Sequence, residues 1–203
     1  MIFDQRTHHL QVADQSGGPG SKWPDAQAAG LAYGGIAAVN AGFFTPEGAP
    51  LGLVMSQGKR SGSLNRSSLG AGFAIGGGSS ALIRREHWSN AFEAVQSGPF
   101  LLENGRSPGG LSQVTSTART FIATDGSGRW IIARTGPCSL EGLASALNGA
   151  SLDGMKPVTV LNLDGGRSSD LWVAASVAGG PLHERPMWNK PVRNFLVLVP
   201  QSS

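Results

Sequence analysis

Thirty glycines are scattered through this chain without any period. Each lets the backbone turn sharply or pass close to another group, so together they cut the chain into short segments. The segments between them are short apolar runs rich in Val, Ile, Leu and Phe. That pattern predicts many short strands joined by turns, and excludes a collagen-like rod or a flexible linker. With 203 residues, 40% hydrophobic and 14% charged, the chain can bury a sizeable core and is too apolar to stay disordered. No repeat, linker or break in composition divides it. One α+β domain over residues 1–203 is expected, with a mostly antiparallel, mixed β-sheet and two or three packed helices.

Charge and special residues exclude several functions. A net charge of +3 suits an anionic substrate, but there is no Lys/Arg run and no interleaving of aromatic with basic residues. Nucleic acid is therefore set aside as a partner. No apolar run reaches the length of a membrane span, and no leader is visible at Met1. The single cysteine, Cys138, permits no intrachain disulfide. His8 and His9 are adjacent on a candidate strand and point to opposite faces, so they do not form a chelating pair. The Gly76–Ser80 loop is rich in glycine and hydroxyls but lacks the Lys and the helix of a phosphate-binding P-loop; it reads as a hairpin turn. No cofactor and no metal site are expected.

Several elements are legible. Pro24 to Tyr33 reads as a short helix. Ser139 to Asn148 reads as the clearest helix, with Leu140, Leu143, Ala144 and Leu147 on one stripe and Ser139 as cap. Thr117–Thr124 and Arg129–Arg134 form a hairpin around Asp125-Gly-Ser-Gly128. Ile36–Val39 and Leu51–Met55 read as strands, as do Ala71–Ile75 and Ala81–Ile83. The run Glu93–Leu102 is interrupted by Gln96, Ser97 and Gly98, polar or small residues that are costly to bury without partners. Lys190–Val199 closes the chain as a strand.

The stretch Val158-Thr-Val-Leu-Asn-Leu-Asp-Gly-Gly-Arg-Ser-Ser169 carries the most chemistry. A buried strand stops at Asp164, and Gly165 and Gly166 free the backbone to form a donor-rich turn of the kind that holds anions. Two readings stand open from these residues alone: Asp164 caps a hairpin turn, or it is a reactive carboxylate at a strand end. Asn40, at the end of another strand, can likewise shape a turn or serve a site.

Read together, these stretches resemble the phosphodiester glycosidase family. Asn40-Ala-Gly-Phe-Phe44 is similar to its Asn-Gly-Gly-Phe-Phe motif. Pro50–Val54, Gln96–Leu102 and Ala118-Arg-Thr120 resemble its next blocks, and Leu161–Ser169 resembles its Asn-Leu-Asp-Gly-Gly-Gly-Ser signature. Arg193 matches a basic residue before the family's last strand. Arg167 departs from the pattern, standing where a third glycine is usual, and this bears on substrate preference. The likeness runs from about Phe3 to Val199.

The resemblance implies hydrolysis of a sugar-1-phosphodiester in a phosphorylated glycan or sugar phosphate, outside the cytoplasm: periplasmic or secreted, with exopolysaccharides among the conceivable substrates. Asp164 is the expected carboxylate, with Glu47 as the candidate second acid. Arg119 and Arg193, joined by Arg167, are expected to grip the phosphate, because guanidinium forks match it. Asn40, Gln96, Ser97, Thr120, Ser168 and Ser169 are expected to bind substrate oxygens. Gly98, Gly165 and Gly166 would let backbone approach them. Three alternatives bear on this: a non-catalytic carbohydrate- or anion-binding module, a metal-assisted hydrolase using Asp164 and Asn40, and a structural Arg119–Asp164 ion pair. The oligomeric state is left open.

Overall fold

The structure, a computed structural model, describes residues 1–201; residues 202–203 of the expected domain lie outside the described residues. The chain runs through β1 (Ile2–Asp4), β2 (His8–Asp14), α1 (Ala26–Ala32), β3 (Ala37–Asn40), β4 (Val54–Ser56), β5 (Lys59–Ser61), β6 (Gly72–Ile75) and β7 (Ala81–Arg84). It continues through β8 (Ala94–Ser97), β9 (Phe100–Leu102), β10 (Thr120–Thr124), β11 (Arg129–Arg134), α2 (Leu140–Leu147), β12 (Thr159–Asn162), β13 (Leu171–Val173), β14 (Leu182–Glu184) and β15 (Asn194–Pro200). These make three five-stranded sheets, in the orders β1-β11-β10-β12-β9, β14-β13-β3-β15-β2 and β5-β4-β8-β6-β7. Every pairing described is antiparallel. The expected α+β class thus holds in a mostly β form, with the sheet divided in three and two α-helices.

Alternation along the strands builds the layers. On β15, Leu196 and Leu198 face a central core shared by all three sheets, together with Val12, Val39, Val54, Ala74, Val95, Ile122 and Leu161. Phe195 and Val197 point the other way, onto α1 with Ala26 and Ala29. On β10, Ile122 faces the central core, while Phe121 and Ala123 pack with Leu143, Ala144 and Leu147 of α2. Burial of a side chain the size of Phe195 or Leu196 contributes roughly 2–3 kcal/mol.

Ser139 caps α2 as expected, but α1 begins at Ala26 with Asp25 as its cap, which leaves Pro24 before the helix and not in its first turn. The Ser139 hydroxyl accepts from Gly142 N at 3.0 Å, and the Asp25 carboxylate accepts from Ala28 N at 2.9 Å. The strand expected from Leu51 begins only at Val54, because Gly52 instead lies against Gln96: a Cβ on it would sit 3.0 Å from Gln96 Cβ. The segment around Asp164 is not a hairpin. β12 belongs to the first sheet and β13 to the second, so the Asp-Gly-Gly turn carries the chain from one sheet to the next.

Candidate active site

Strand ends of the first and second sheets are joined at Asp164. Asp164 N donates to Ala41 O at 2.8 Å, just past the end of β3, and Leu163 N donates to Thr120 O at 2.8 Å. Asn40, fully buried, binds these ends together. Its Nδ2 donates to the Asp164 carbonyl at 2.6 Å. Its Oδ1 accepts from the Thr120 hydroxyl at 2.8 Å and from Asp170 N at 3.0 Å. Asn40 thus pins the backbone of Asp164, and its Oδ1, already accepting twice, has no lone pair left for a metal ion.

Two further asparagines repeat the device. Asn194 Oδ1 accepts from Gly42 N at 2.7 Å, and Asn162 Nδ2 donates to Gly98 O at 2.9 Å. Hydrogen bonds, a close approach of Gly42 to Gln96 O and the chain itself then link Asp164, Ala41, Gly42, Gln96, Ser97, Gly98 and Asn162 in a circuit. Ser97 Oγ, Asn162 Oδ1 and Asn194 Nδ2 are buried in this circuit without partners, as is Ser169 Oγ just beyond the turn. Unpaired buried polar atoms are costly and tend to collect where function, not stability, sets the residue type.

The carboxylate itself is half-buried. Gly165 N donates to Asp164 Oδ1 at 2.8 Å. Burial pushes the carboxyl up from its ordinary value to about 6, and the Ser168 hydroxyl and the Gly165 N–H only partly oppose this. Among the described residues no cation is paired with it, so the Arg119–Asp164 ion pair is not formed.

The glycines are required by close approach. A Cβ on Gly165 would lie 2.7 Å from Ala118 O, and Gly166, at φ +61°, donates its N–H to that same oxygen at 2.7 Å. The Asp164 turn is therefore laid directly on the Ala118-Arg-Thr120 segment. Gly98 has a similar need, since a Cβ there would collide with the Ser68 carbonyl. Its openness serves the protein's own backbone.

The remaining expected residues fall into two groups. Gln96 is wholly engaged by backbone: Oε1 accepts from Leu53 N and Asn65 N, and Nε2 donates to Asn65 O and Gly70 O, all within 3.0 Å. Arg193 forms a two-pronged pair with Asp14 at 2.9 and 3.0 Å and donates to Gly48 O at 3.1 Å. Arg119 donates to Cys138 O at 3.0 Å and Thr115 O at 2.6 Å, and burial lowers its affinity for its proton. Glu47 is exposed in the Thr45–Ala49 turn, where hydrogen bonds led by the Thr45 side chain hold its carboxyl below the usual range; no contact joins it to Asp164. By contrast Gly166, Arg167 and Ser168 form the turn itself.

Beside that turn opens a cleft of about 530 Å³, lined by Ser116, Thr117, Ala118, Arg134, Pro137, Gly166, Arg167, Pro186 and Trp188. Arg134, Pro186 and Trp188 were not singled out from sequence. The only signal was the end position of Arg134 on a recognised strand.

A carboxyl raised to about 6, at a turn whose Gly166 and Arg167 line an open cleft, has the chemistry to accept a proton or to attack an electrophile. The sequence pattern of the phosphodiester glycosidases matches residues 33–199, and the chain belongs to that family. No curated protein sequence matches it. Among solved structures it is similar to the catalytic domain of zebrafish N-acetylglucosamine-1-phosphodiester alpha-N-acetylglucosaminidase, auto-inhibited by its pro-peptide. The TM-score is 0.66 at 18% identity, covering 97% of this chain and 74% of that one. A hypothetical protein from Synechocystis gives 0.63 at 18%, covering 98% and 58%. A putative exported protein from Burkholderia pseudomallei gives 0.59 at 12%, covering 98% and 73%. These likenesses show the fold. No helix among the described residues is long and apolar enough to cross a membrane.

Proposed function

We propose that this chain hydrolyses the bond between an anomeric carbon and phosphate in a sugar-1-phosphodiester, with Asp164 as the reacting carboxylate. The observation that carries this is the Asp164 carboxyl, raised to about 6 by burial, unpaired with any cation among the described residues and fixed where the first and second sheets join. Ionised above that pH, it takes the proton of the attacking water while the water oxygen bonds to the anomeric carbon. The C–O bond to phosphate breaks, and its electron pair leaves on the phosphomonoester. Phosphate is a good leaving group, so no second acid is needed and Glu47 has no part in this scheme.

Asn40 and Thr120 act as positioning residues, since they touch the backbone and neighbours of Asp164. Gln96, Gly98, Arg119 and Arg193 hold the surrounding loops, while Ser97, Ser168 and Ser169 supply hydroxyls around the turn. The family to which the chain belongs and the zebrafish enzyme's fold support the reaction class. A phosphorylated glycan outside the cytoplasm is the substrate setting this reading favours.

The test is sugar release from a panel of sugar-1-phosphodiesters, including UDP-N-acetylglucosamine, by the wild type and by Asp164→Asn. Release by the wild type alone is expected. Equal release by both removes Asp164 from the chemistry. Binding without turnover in both would favour the carbohydrate-binding module.

A further inference from the structure

The arginines near the site differ in what their guanidinium groups already hold. Arg119 and Arg193 are buried and committed to protein acceptors, Arg193 through all three nitrogens and Arg119 through Nε and Nη2. Arg134 is not. It ends β11 directly opposite Thr120, whose hydroxyl is bound to Asn40. Its Nε is buried with no partner. Its one ionic contact is a 3.5 Å approach of Nη1 to Glu184, whose side chain is 56% exposed. Arg134 itself is mostly buried, at 17% exposed, but a pair at that distance whose acid stands in solvent binds weakly and yields to a better anion.

The rest of the cleft wall is built for a ring. Ala118, Pro137, Pro186 and Trp188 give it apolar faces. Trp188 is 72% exposed, an unusual state for the largest apolar side chain. Its position is nonetheless fixed from the Asp164 turn. Arg167 Nε donates to Trp188 O at 3.0 Å, and Arg167 O accepts from Lys190 N at 3.1 Å and from Asn189 Nδ2 at 3.0 Å. The loop that carries Trp188 is thus strapped to a residue three positions past Asp164.

We infer that this cleft is the subsite for the leaving side of the substrate. Arg134 holds the phosphate, and Trp188 stacks on a sugar or nucleoside ring attached to it. The ligand class is a phosphomonoester on a ring, which is also the chemical form of the leaving product. The inference rests on the phosphodiester reading for its place in the reaction, but its binding chemistry is testable alone.

The experiment is equilibrium titration of the full chain with UMP and glucose 6-phosphate, against uridine and glucose, with no turnover involved. Wild type and Asp164→Asn are expected to bind both phosphomonoesters and neither parent compound. Arg134→Gln should weaken that binding by about tenfold or more, because a charge-assisted contact is lost. Arg134→Lys, which keeps the charge without the fork, should fall between. Trp188→Ala should weaken it roughly five- to tenfold, with Trp188→Phe largely restoring it. An unchanged thermal midpoint in Arg134→Lys and Trp188→Phe guards against loss of fold. Unaltered binding in Arg134→Gln, or no binding of either phosphomonoester by the wild type, overturns the inference. Sugar release that survives in Arg134→Gln with KM unchanged would overturn the subsite while leaving the Asp164 chemistry intact. Phosphomonoester binding by a chain that releases no sugar would do the reverse.

Discussion

Asp164 and Glu93 are both carboxylates withdrawn from water, both pushed up by burial, and both without a cation. They differ in what their oxygens do. Glu93 is 3% exposed and spends both oxygens on backbone: Oε2 accepts from Val12 N at 2.8 Å and Oε1 from Gln57 N at 3.1 Å, tying β2 to the turn between β4 and β5. Asp164 spends Oδ1 on the adjacent Gly165 N, with the Ser168 hydroxyl also favouring its charged form, and lies at a strand end whose following turn lines an open cleft. One carboxylate is consumed as a brace; the other keeps acceptor capacity for a substrate. Burial alone therefore does not mark a reactive acid. What sets Asp164 apart from Glu93 is burial without full engagement.

The comparison breaks most sharply in activity. Asp164→Asn should lower turnover by about 10²–10⁴-fold, the range for loss of a positioned proton acceptor, whereas Glu93→Gln should leave turnover per folded molecule unchanged. Rates on a sugar-1-phosphodiester, normalised to folded protein, check both.

Next comes the network that positions Asp164. Asn40→Ala strands the Asp164 carbonyl, the Thr120 hydroxyl and Asp170 N at once. A stability loss of about 2–4 kcal/mol is expected by denaturant titration, with a fall in kcat. An unchanged kcat would separate Asn40 from the reaction.

The two carboxylates should then differ in the sign of their stability effects. A carboxyl whose folded value lies above its unfolded value makes the folded state bind more protons between the two. Stability is therefore lost as pH rises from the ordinary range to about 6, and is flat above. Asp164→Asn removes that loss and can still accept from Gly165 N, so it should raise stability at pH 7 by about 1–3 kcal/mol. Glu93→Gln offers one acceptor oxygen for two backbone donors, and should lower stability by about 1–2 kcal/mol. Unfolding curves at pH 4 and pH 7 test both signs. A stabilised Glu93→Gln would show that desolvation, not bracing, dominates there.

Activity should follow the same group, with kcat/KM rising through a midpoint near pH 6 as Asp164 ionises. A rate that falls across that interval would make Asp164 a proton donor. The smallest effect is expected at Glu47: with its carboxyl exposed and free of the site, Glu47→Ala should change the rate by less than about twofold.

The sequence was most legible where the signal is local. The Ser139 cap and the Leu140–Leu147 stripe fixed α2, the Asp125–Gly128 turn placed the β10–β11 hairpin, and the strand-then-glycine pattern located Asp164. In each case the relevant neighbours lie within a few residues, so spacing and turn chemistry report them directly. The Asn40 and Asp164 motifs were visible as separate strand ends, but not their bond across 124 residues.

Side-chain partners at long range were decided by tertiary structure. Gln96, Arg119 and Arg193 look like substrate-binding groups in sequence, because a polar side chain advertises capacity and not how it is used. Only the packing of three sheets brought backbone carbonyls and Asp14 within reach to absorb that capacity. The same packing left Arg134 Nε unpaired and set Trp188 on the cleft rim, two facts that no local pattern encodes. By itself the sequence determined that a carboxylate would stand at a glycine turn. Which cations remained free to face a substrate was decided by the folded chain, because hydrogen-bond saturation depends on neighbours that only the fold assembles.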